Sequence, residues 1–207
     1  MAKLKSTLPN MFLSLTLICI ITSGLLATTY KYTAGPIAET EAKALETAIK
    51  DVSPEFDNNP VSESFKVETP DGYELLIYPA QKDGKMVGAA VESSSKNGFS
   101  GLIRIIVGFD NEGKILNYSV LQHAETPGLG AKMNEWFRTE KNNQCIIGRS
   151  LSKGSLSVSK DGGDVDAITA STITSRAFLE AVNRAYNAYI GLDAATGATS
   201  QSDEDKN

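Results

Sequence analysis

The sequence predicts an α+β domain that follows a single N-terminal transmembrane helix. Three observations support this prediction: an apolar segment without charges near the N-terminus, several short apolar runs separated by turn residues, and a helical pattern near the C-terminus. Because the strands come in series and the helices are segregated from them, the order of elements is typical of an α+β fold. We expect a mostly antiparallel sheet with flanking helices.

The segment over residues 8–29 is mostly apolar and contains no charged residue. Its length is about that needed to cross a hydrocarbon core as one helix. A cleaved signal peptide is the alternative, but no cleavage site of the Ala-x-Ala type follows Leu25 and Leu26, and the apolar run is long for a signal peptide. We therefore expect residues 1–30 to form a short cytoplasmic N-terminus and a retained anchor.

The charges beside this segment predict its orientation. Lys3 and Lys5 precede it, which favours an N-terminus inside the cell, although Lys31 lies just beyond the segment and reduces the contrast. The remainder of the chain would then lie outside the cytoplasm. In a bacterium, this places the soluble domain on the periplasmic side of the inner membrane.

Composition argues against several classes of function. The net charge of −5 argues against a nucleic-acid partner. Cys19 lies in the anchor and Cys145 in the domain, so we expect no disulfide framework. No Cys and His cluster suggests a zinc or iron–sulfur site. No Gly-x-Gly-x-x-Gly motif stands between a strand and a helix, so NADH is not expected to bind here.

Apolar periodicity predicts the elements that follow the anchor. A helix over residues 36–51 and a polar loop form a connector at residues 31–60, and a folded domain occupies residues 61–191. Strands are predicted at residues 73–78, 86–92, 102–109 and 114–122, the last two joined as a hairpin. Helices are predicted at residues 132–139 and 171–190, and residues 192–207 are typical of a disordered acidic tail.

The first candidate site, residues 166–172, reads Asp-Ala-Ile-Thr-Ala-Ser-Thr and runs directly into the last predicted helix. Small side chains at Ala170 and Ser171 let backbone N–H groups approach an anion. The helix N-terminus adds unpaired donors and the positive end of its dipole. The alternative is an ordinary helix start, since Ser and Thr residues cap helices.

The second candidate site, residues 123–132, reads His-Ala-Glu-Thr-Pro-Gly-Leu-Gly-Ala-Lys. A proline and two glycines close together predict a rigid loop with exposed backbone donors. The alternative is a simple turn between a strand and a helix. Composition alone favours the simple turn.

Taken together, the two segments resemble the FMN-binding domain family, which includes flavinylated subunits of the Rnf and Na+-translocating NADH:quinone oxidoreductase complexes. The attachment signature of that family is Asp, two variable residues, Ser or Thr, Gly, Ala or Ser, then Thr; Thr172 takes the last place. The second segment contains the family's Glu-Thr-Pro-Gly-Leu-Gly core, and the resemblance extends upstream to Gly98-Phe99-Ser100-Gly101. It covers roughly residues 85–190. The chain length and single apolar segment are more similar to Rnf G subunits than to the longer quinone-linked C subunits.

The resemblance implies a membrane-anchored electron carrier with covalent FMN, esterified through its phosphate to Thr172. It implies an ion-translocating ferredoxin:NAD+ oxidoreductase with membrane and soluble subunits as partners, and a Mg2+-dependent flavin transferase that adds FMN from FAD. No independent substrate turnover and no metal site are expected. The other residues that the resemblance places at the flavin are Asp166, Thr169, Ala170, Ser171, Ile173, Thr174, Glu125, Thr126, Gly128, Leu129, Gly130 and Lys132.

A rival attachment site lies near the C-terminus. The family usually has glycine where Ala170 stands, and glycine is preferred where the backbone takes positive φ or lies close to a ligand. Residues 193–199 match the signature with Gly197 in that place and Thr199 as the hydroxyl. The polar tail after Thr199 lacks apolar residues for a helix, and its carboxylates would repel a phosphate. We therefore expect attachment at Thr172.

Two other functions remain open at this point. The domain could keep the fold without flavin, as an anchored structural subunit, and Ala170 favours that alternative. A membrane-tethered hydrolase that uses His123, the single histidine, is the other. The sequence contains no Gly-x-Ser-x-Gly motif that would expose a serine nucleophile, which argues against the hydrolase. Flavin retained by the denatured protein would argue against both.

Overall fold

The structure, a computed structural model, describes residues 7–196, except for the side chains of Lys153 and of residues 192–196. Five strands form one sheet in the order β1-β2-β3-β4-β5, and each pairs antiparallel with its neighbour in the chain. The helices and strands are α1 (Leu8–Val52), β1 (Phe65–Glu68), β2 (Glu74–Lys82), β3 (Lys85–Gly98), β4 (Gly101–Asp110), β5 (Ile115–Gln122), α2 (Met133–Trp136) and α3 (Thr172–Thr196). This confirms the predicted antiparallel sheet and flanking helices.

Side chains alternate between two faces of the sheet, as the geometry of a strand requires. On β4, Ile105 and Val107 belong to the larger hydrophobic cluster, whereas Ile106 between them belongs to a smaller one. The larger cluster includes the apolar face of α3, and the smaller one includes Ile49 and Val52 at the end of α1. Both faces of the sheet are therefore covered.

The predicted hairpin between β4 and β5 is confirmed. Asp110 organises its turn: its carbonyl accepts from Gly113 N at 3.0 Å, and its carboxylate accepts from the backbone N–H of Glu112 and of Lys114. Tyr189 of α3 donates its hydroxyl to the same Asp110 carbonyl at 2.8 Å. The turn therefore fixes both the strand pairing and the position of the C-terminal helix.

The first strand was not predicted from the sequence. β1 has only four residues, and it pairs Phe65 with Ile77 at the edge of the sheet. Its side chains are mostly exposed, so it lacks the apolar alternation that identifies a half-buried strand.

A single helix, α1, replaces the predicted anchor and separate connector helix. Pro36, where a boundary was expected, lies inside α1. The Ala, Glu, Lys and Leu residues that follow it favour the helix, and this preference is sufficient for the helix to continue. An 18-residue window of α1 has a mean hydropathy of 2.1 and none of it is buried, so the helix is long and apolar enough to cross a membrane. The chain divides into two compact units, Met1–Ala44 and Leu45–Asn207.

The connection between β5 and α3 is long and contains little regular structure, apart from α2 and short 3-10 turns. Aromatic side chains hold it to the core. Phe137 stacks on Phe178 of α3 with ring centroids 4.5 Å apart, and Tyr118 donates its hydroxyl to Met133 O at 2.6 Å. Burial raises the pKa of Tyr118 to about 12, so this hydroxyl remains a donor at neutral pH.

Two predicted helices differ in extent from the observed ones. Instead of one helix over residues 132–139, a 3-10 turn at Gly130–Lys132 leads into α2, which ends at Trp136. The carbonyl of Trp136 accepts from Thr139 N, three residues on, and from the side chain of Gln144, so the α-helical bonding pattern ends there. α3 begins one residue after the predicted start and continues to Thr196, past the predicted end at residue 190. Thr199 of the rival signature lies outside the described residues.

Candidate functional site

A cavity of about 290 Å³ lies where the second candidate segment meets the start of α3. It brings together residues that are distant in sequence, from the β3–β4 turn, the loop after β5 and the first turn of α3. Its lining residues are Phe99, Glu125, Thr126, Leu129, Gly130, Ala170, Ser171, Thr172, Ile173 and Thr174. The two candidate segments therefore form one site.

The carboxylate of Glu125 joins the three parts of this cavity. It is 5% exposed; one oxygen accepts from Ser100 N at 3.0 Å and the other accepts from the Thr174 hydroxyl at 2.7 Å. A buried carboxylate is costly unless hydrogen bonds satisfy it, and here a backbone donor and a hydroxyl do so. Glu125 therefore positions the β3–β4 turn and the first turn of α3 with respect to its own loop.

Two glycines make room for this carboxylate. A Cβ added to Gly130 would overlap one oxygen of Glu125 and lie 2.8 Å from the Thr174 hydroxyl oxygen. A Cβ added to Gly98 would lie 2.8 Å from the other carboxylate oxygen of Glu125. The glycines at these two positions thus allow the backbone to approach Glu125 from two directions, which explains why the glycine of the loop core occurs at residue 130.

The loop itself is closed by its own backbone. The carbonyl of Thr126 accepts from Leu129 N and from Ala131 N, both at 3.2 Å. Gly128 supports this turn with φ +76°, a value that favours glycine. His123 accepts from Glu125 N at 3.2 Å through its Nδ1 atom, so that the imidazole helps to shape the loop.

Serine side chains define where α3 begins. Ser175 N donates to Ser171 O at 3.0 Å, the first bond of the helical pattern, so Ser171 occupies the N-cap position. The Ser175 hydroxyl donates to the same carbonyl and accepts from Ile168 N at 2.9 Å. The turn that precedes the helix is therefore tied to it, and the first N–H groups of α3, at the edge of the cavity, lack intrahelical acceptors.

Thr172 is the first residue of α3 and is half-buried at the edge of the cavity. Its hydroxyl oxygen lies 3.2 Å from the ammonium nitrogen of Lys160 and accepts a hydrogen bond from it. Within residues 7–196, this hydroxyl thus bonds to a cation from another segment and not to a backbone N–H of its own helix. The capping interpretation applies to Ser171, through its backbone, and leaves the Thr172 hydroxyl accessible to chemistry.

The conformation of Ala170 accounts for the glycine that the family usually has there. Ala170 has φ +62°, in the left-handed region that L-residues with a Cβ enter at a cost of roughly 1–2 kcal/mol. Its side chain is exposed, so the substitution creates no steric conflict and the cost is one of backbone conformation. The turn before α3 forms with alanine as well, at lower stability.

Asp166, the first residue of the signature, organises the backbone around the site and does not line the cavity. Its carboxylate accepts from the Ser159 hydroxyl at 3.1 Å and from Asn143 N at 3.2 Å. Its carbonyl accepts from the indole of Trp136 at 2.8 Å. The signature aspartate thus connects three segments of the long connection between β5 and α3.

Exposed apolar side chains surround the entrance of the cavity. Phe99 is 70% exposed, Leu129 42% and Ile173 49%, and all three line it. Exposed apolar side chains grouped in this way are typical of interaction surfaces, including ligand-binding grooves. Together with the N–H groups of α3, the site suits a ligand with an anionic end and a flat apolar end.

Not every predicted site residue lines this cavity. Asp166, Thr169, Gly128 and Lys132 lie outside its lining. Gly128 acts through the turn, as Asp166 acts through the loops. Sequence reasoning assigned no role to Phe99, although it stands in the upstream part of the resemblance, and it did not identify Ser175 or Lys160 at all. Lys160 lies in a polar stretch without periodicity, where no sequence signal distinguishes it from a solvated lysine.

Comparison with known proteins identifies the type of domain that contains this cavity. A family model described as an FMN-binding domain matches residues 98–187 of this chain. The match includes the β3–β4 turn, the loop after β5 and the start of α3, which together contain every residue that lines the cavity.

Proteins named as the G subunit of an ion-translocating oxidoreductase complex resemble most of the chain. The one from Vibrio parahaemolyticus serotype O3:K6 is 36% identical over 183 residues, which cover 84% of this chain and 86% of the relative. Those from Aliivibrio fischeri strain MJ11 and Photorhabdus laumondii are 34% and 33% identical, over 87% and 83% of this chain and 89% and 85% of the relatives. The chain therefore belongs to the family of ion-translocating oxidoreductase complex G subunits.

Proposed function

We propose that this protein is a membrane-anchored electron carrier that holds FMN as a phosphoester on Thr172. The observation that carries the proposal is the position of the Thr172 hydroxyl: at the first residue of a 25-residue helix, on the edge of a cavity with an apolar rim, and 3.2 Å from an ammonium group. An anionic group on this hydroxyl would meet the N-terminal end of the helix dipole.

The residues present fit FMN. The phosphate would be held by N–H groups at the start of α3, and the apolar side chains of Phe99, Leu129 and Ile173 would contact the ring system. Gly130 lets the loop backbone pack directly against the Glu125 carboxylate, which keeps that side chain in place at the cavity. The cavity of about 290 Å³ is smaller than a typical enclosed ligand site, which suits a cofactor that stays partly exposed to redox partners.

Bound FMN supplies the redox chemistry, and the protein supplies binding, orientation and local charge. In this chain, Glu125 keeps the loop and the helix start at a fixed separation through its bonds to Ser100 and Thr174. The covalent bond to Thr172 would keep the cofactor from being lost outside the cytoplasm. Redox function without independent substrate turnover is the expected activity.

The membrane and the partner subunits complete the proposal. α1 would anchor the chain in the bacterial inner membrane with its N-terminus in the cytoplasm and residues 61–191 on the periplasmic side. The domain would exchange electrons with other membrane and soluble subunits of an ion-translocating ferredoxin:NAD+ oxidoreductase of the Rnf type. A Mg2+-dependent flavin transferase that uses FAD would attach the FMN.

Mass spectrometry of the full chain from its native host tests the flavin and its site. We expect an adduct of the size of FMN on wild-type protein and on Thr199→Val, and no adduct on Thr172→Val. Peptide mapping should place the adduct on the peptide that contains Thr172. Loss of the adduct only in Thr199→Val would move the site to the C-terminal segment. Unmodified wild-type protein would favour the structural subunit without flavin.

Reporter fusions test the orientation. Alkaline phosphatase folds only outside the cytoplasm, so a fusion after residue 196 should be active, whereas a cytoplasmic fluorescent protein at that position should remain dark. The reverse pattern would place the domain in the cytoplasm. This outcome would contradict the proposed periplasmic location. It would not affect the proposed flavin site, which the mass spectrometry tests separately.

A further inference from the structure

We propose that Lys160 is the cation that binds the phosphate at Thr172, both while the flavin nucleotide is attached and afterwards. This inference rests on the proposed function and assigns a positioning residue to it. It begins from the hydrogen bond between the Lys160 ammonium and the Thr172 hydroxyl, 3.2 Å long. An ammonium at that distance from the ester oxygen is within reach of the other phosphate oxygens.

The backbone that carries Lys160 is held in place. Lys160 lies in a 3-10 turn, Ser159–Asp161, in which Asp161 N donates to Val158 O at 2.8 Å. Ser159 N donates to Val165 O at 2.8 Å, and the Ser159 hydroxyl donates to the carboxylate of Asp166. The signature aspartate therefore fixes the turn from which Lys160 reaches Thr172. This connection gives Asp166 a role at the site although it does not line the cavity.

Arg176, the arginine in the first turns of α3, is already paired with a carboxylate, whereas Lys160 is bonded to the Thr172 hydroxyl. Arg176, one turn further along α3, donates from two nitrogens to the carboxylate of Asp161 at 2.7 and 2.6 Å. The hydrogen bond from Arg176 holds the pKa of Asp161 below its usual range. Both side chains therefore stay charged and bonded to each other. Among the ion pairs formed by residues 7–196, none includes Lys160.

The attachment reaction needs such a cation. The Thr172 oxygen forms a bond to the phosphorus of the FMN half of FAD, and the phosphoanhydride bond to the AMP half breaks. AMP leaves with the bonding electrons, the hydroxyl proton passes to the transferase or to solvent, and no group is oxidised or reduced. Negative charge develops on the transferred phosphate beside Thr172, and the product phosphodiester retains one charge. An ammonium at this position stabilises both.

The rate of attachment to full-length protein in detergent is the first measurement, with purified flavin transferase, FAD and Mg2+ and intact mass as the readout. Lys160→Gln should lower the initial rate about tenfold, the effect expected from loss of one hydrogen bond to a charged group at a partly exposed site. Lys160→Arg should recover most of the rate. The matched control is Lys85→Gln, at the first residue of β3, which should match wild type. Added salt should slow wild type more than Lys160→Gln, because exposed charges are screened.

A second measurement needs no substitution. Acylation of surface lysines, mapped by peptide mass spectrometry, should be several-fold slower at Lys160 in wild-type protein carrying the adduct than in protein without it, while Lys85 reacts equally in both. This readout stands even if a Lys160 variant folds poorly, which thermal unfolding of each variant would reveal.

The outcomes separate this inference from the function on which it rests. Equal attachment rates for wild type and Lys160→Gln, with the adduct on Thr172, would overturn the role of Lys160 and leave the carrier function intact. Equal acylation of Lys160 with and without the adduct would overturn the role after attachment. Wild-type protein that accepts no FMN would overturn both the function and the inference.

Discussion

Within residues 7–196, two cavities are lined in part by α3, and they differ in how their polar groups are bonded. The cavity at the N-terminal end of the helix measures about 290 Å³ and has Thr172 at its edge. A larger one, of about 480 Å³, lies against the side of the same helix and is lined by charged residues that include Asp71, Arg176, Glu180 and Arg184. Volume and charge alone would favour the second.

The charges of the larger cavity are used within the protein. Arg184 is 8% exposed; it donates to Asp71 and Glu180 at 2.8 and 2.7 Å and also to the carbonyl of Ser94. Its guanidinium lies 3.7 Å from the centre of the Tyr73 ring, a cation–π contact. This network holds the β1–β2 turn, β3 and α3 together, so the charges of Arg184, Asp71 and Glu180 already satisfy one another.

The smaller cavity distributes its polar groups in the opposite way. Its carboxylate, Glu125, is satisfied inside the protein, whereas the Thr172 hydroxyl and the Lys160 ammonium bond to each other at the surface. The ammonium can donate to a further acceptor, and the hydroxyl can bond to a further partner, without breaking the fold. The comparison teaches that the remaining capacity of polar groups, more than volume or net charge, identifies a site.

Removal of the Glu125 carboxylate should have the largest effect, because its hydrogen bonds connect the three segments that form the smaller cavity. Glu125→Ala leaves Ser100 N and the Thr174 hydroxyl without their acceptor, so the free energy of unfolding should fall by about 3 kcal/mol. FMN attachment should fall with it. Glu125→Gln keeps one carbonyl oxygen and should lose less than half as much. Urea unfolding measures the change in stability, and intact mass measures the extent of FMN attachment. If Glu125→Ala were as stable as wild type, this carboxylate would not be what connects the segments of the cavity.

Addition of one methyl group at Gly130 should have the next largest effect. Gly130→Ala forces a Cβ against the Glu125 carboxylate, and such overpacking costs about 2 kcal/mol. Gly128→Ala is the matched control: its Cβ meets nothing within 4 Å, and only the positive φ is unfavourable, at about 1 kcal/mol. We expect slower attachment for Gly130→Ala than for Gly128→Ala. The reverse order would mean that loop conformation, rather than space beside Glu125, limits attachment.

Restoring the usual glycine of the signature should improve the smaller cavity slightly. Ala170→Gly removes the cost of φ +62° but increases the entropy of the unfolded chain, so unfolding should become harder by about 0.5 kcal/mol. Ala131→Gly, in the 3-10 turn Gly130–Lys132 where φ is negative, should instead destabilise by about 0.5–1 kcal/mol. Thermal unfolding separates the two. Equal destabilisation in both variants would contradict a role of positive φ at Ala170.

Sequence patterns predicted the parts of the molecule that local chemistry determines. The apolar alternation on β2 to β5 and the turn at Asp110 identified the sheet, and the two motifs identified the loop and the start of α3. The edge strand β1 lacked the alternation, and Pro36 suggested a helix boundary where α1 continues. In both cases, packing or neighbouring propensity outweighed the local signal.

The partners within the site depend on the path of an irregular segment, which periodicity does not encode. Lys160 reaches Thr172 because Asp166 holds the turn at Ser159, and each of these contacts joins residues of a stretch without a regular pattern. The resemblance identified Asp166 as part of the motif but not as the residue that positions a cation. Tertiary contacts of this kind become visible only in the folded chain.

Removal of a charge from the larger cavity should have the smallest effect and sharpen the contrast. Burial raises the pKa of Glu180, but hydrogen bonds from Asn97, Arg184 and Ser95 together lower it by a larger amount. The net pKa therefore lies below its ordinary value of 4.5. Because the folded-state pKa is depressed, the stabilisation is complete above about pH 4.5 and is lost as the pH falls through the folded-state value.

Glu180→Gln should therefore lower the free energy of unfolding at pH 7 by no more than about 0.5 kcal/mol, since the carboxylate is partly exposed and screened. Thermal unfolding at pH 7 and pH 3.5 should show a difference from wild type that shrinks at the lower pH. FMN attachment to Glu180→Gln should proceed at the wild-type rate. A slowed attachment in this variant would mean that the larger cavity contributes to the flavin site, and the separation of the two cavities by function would fail.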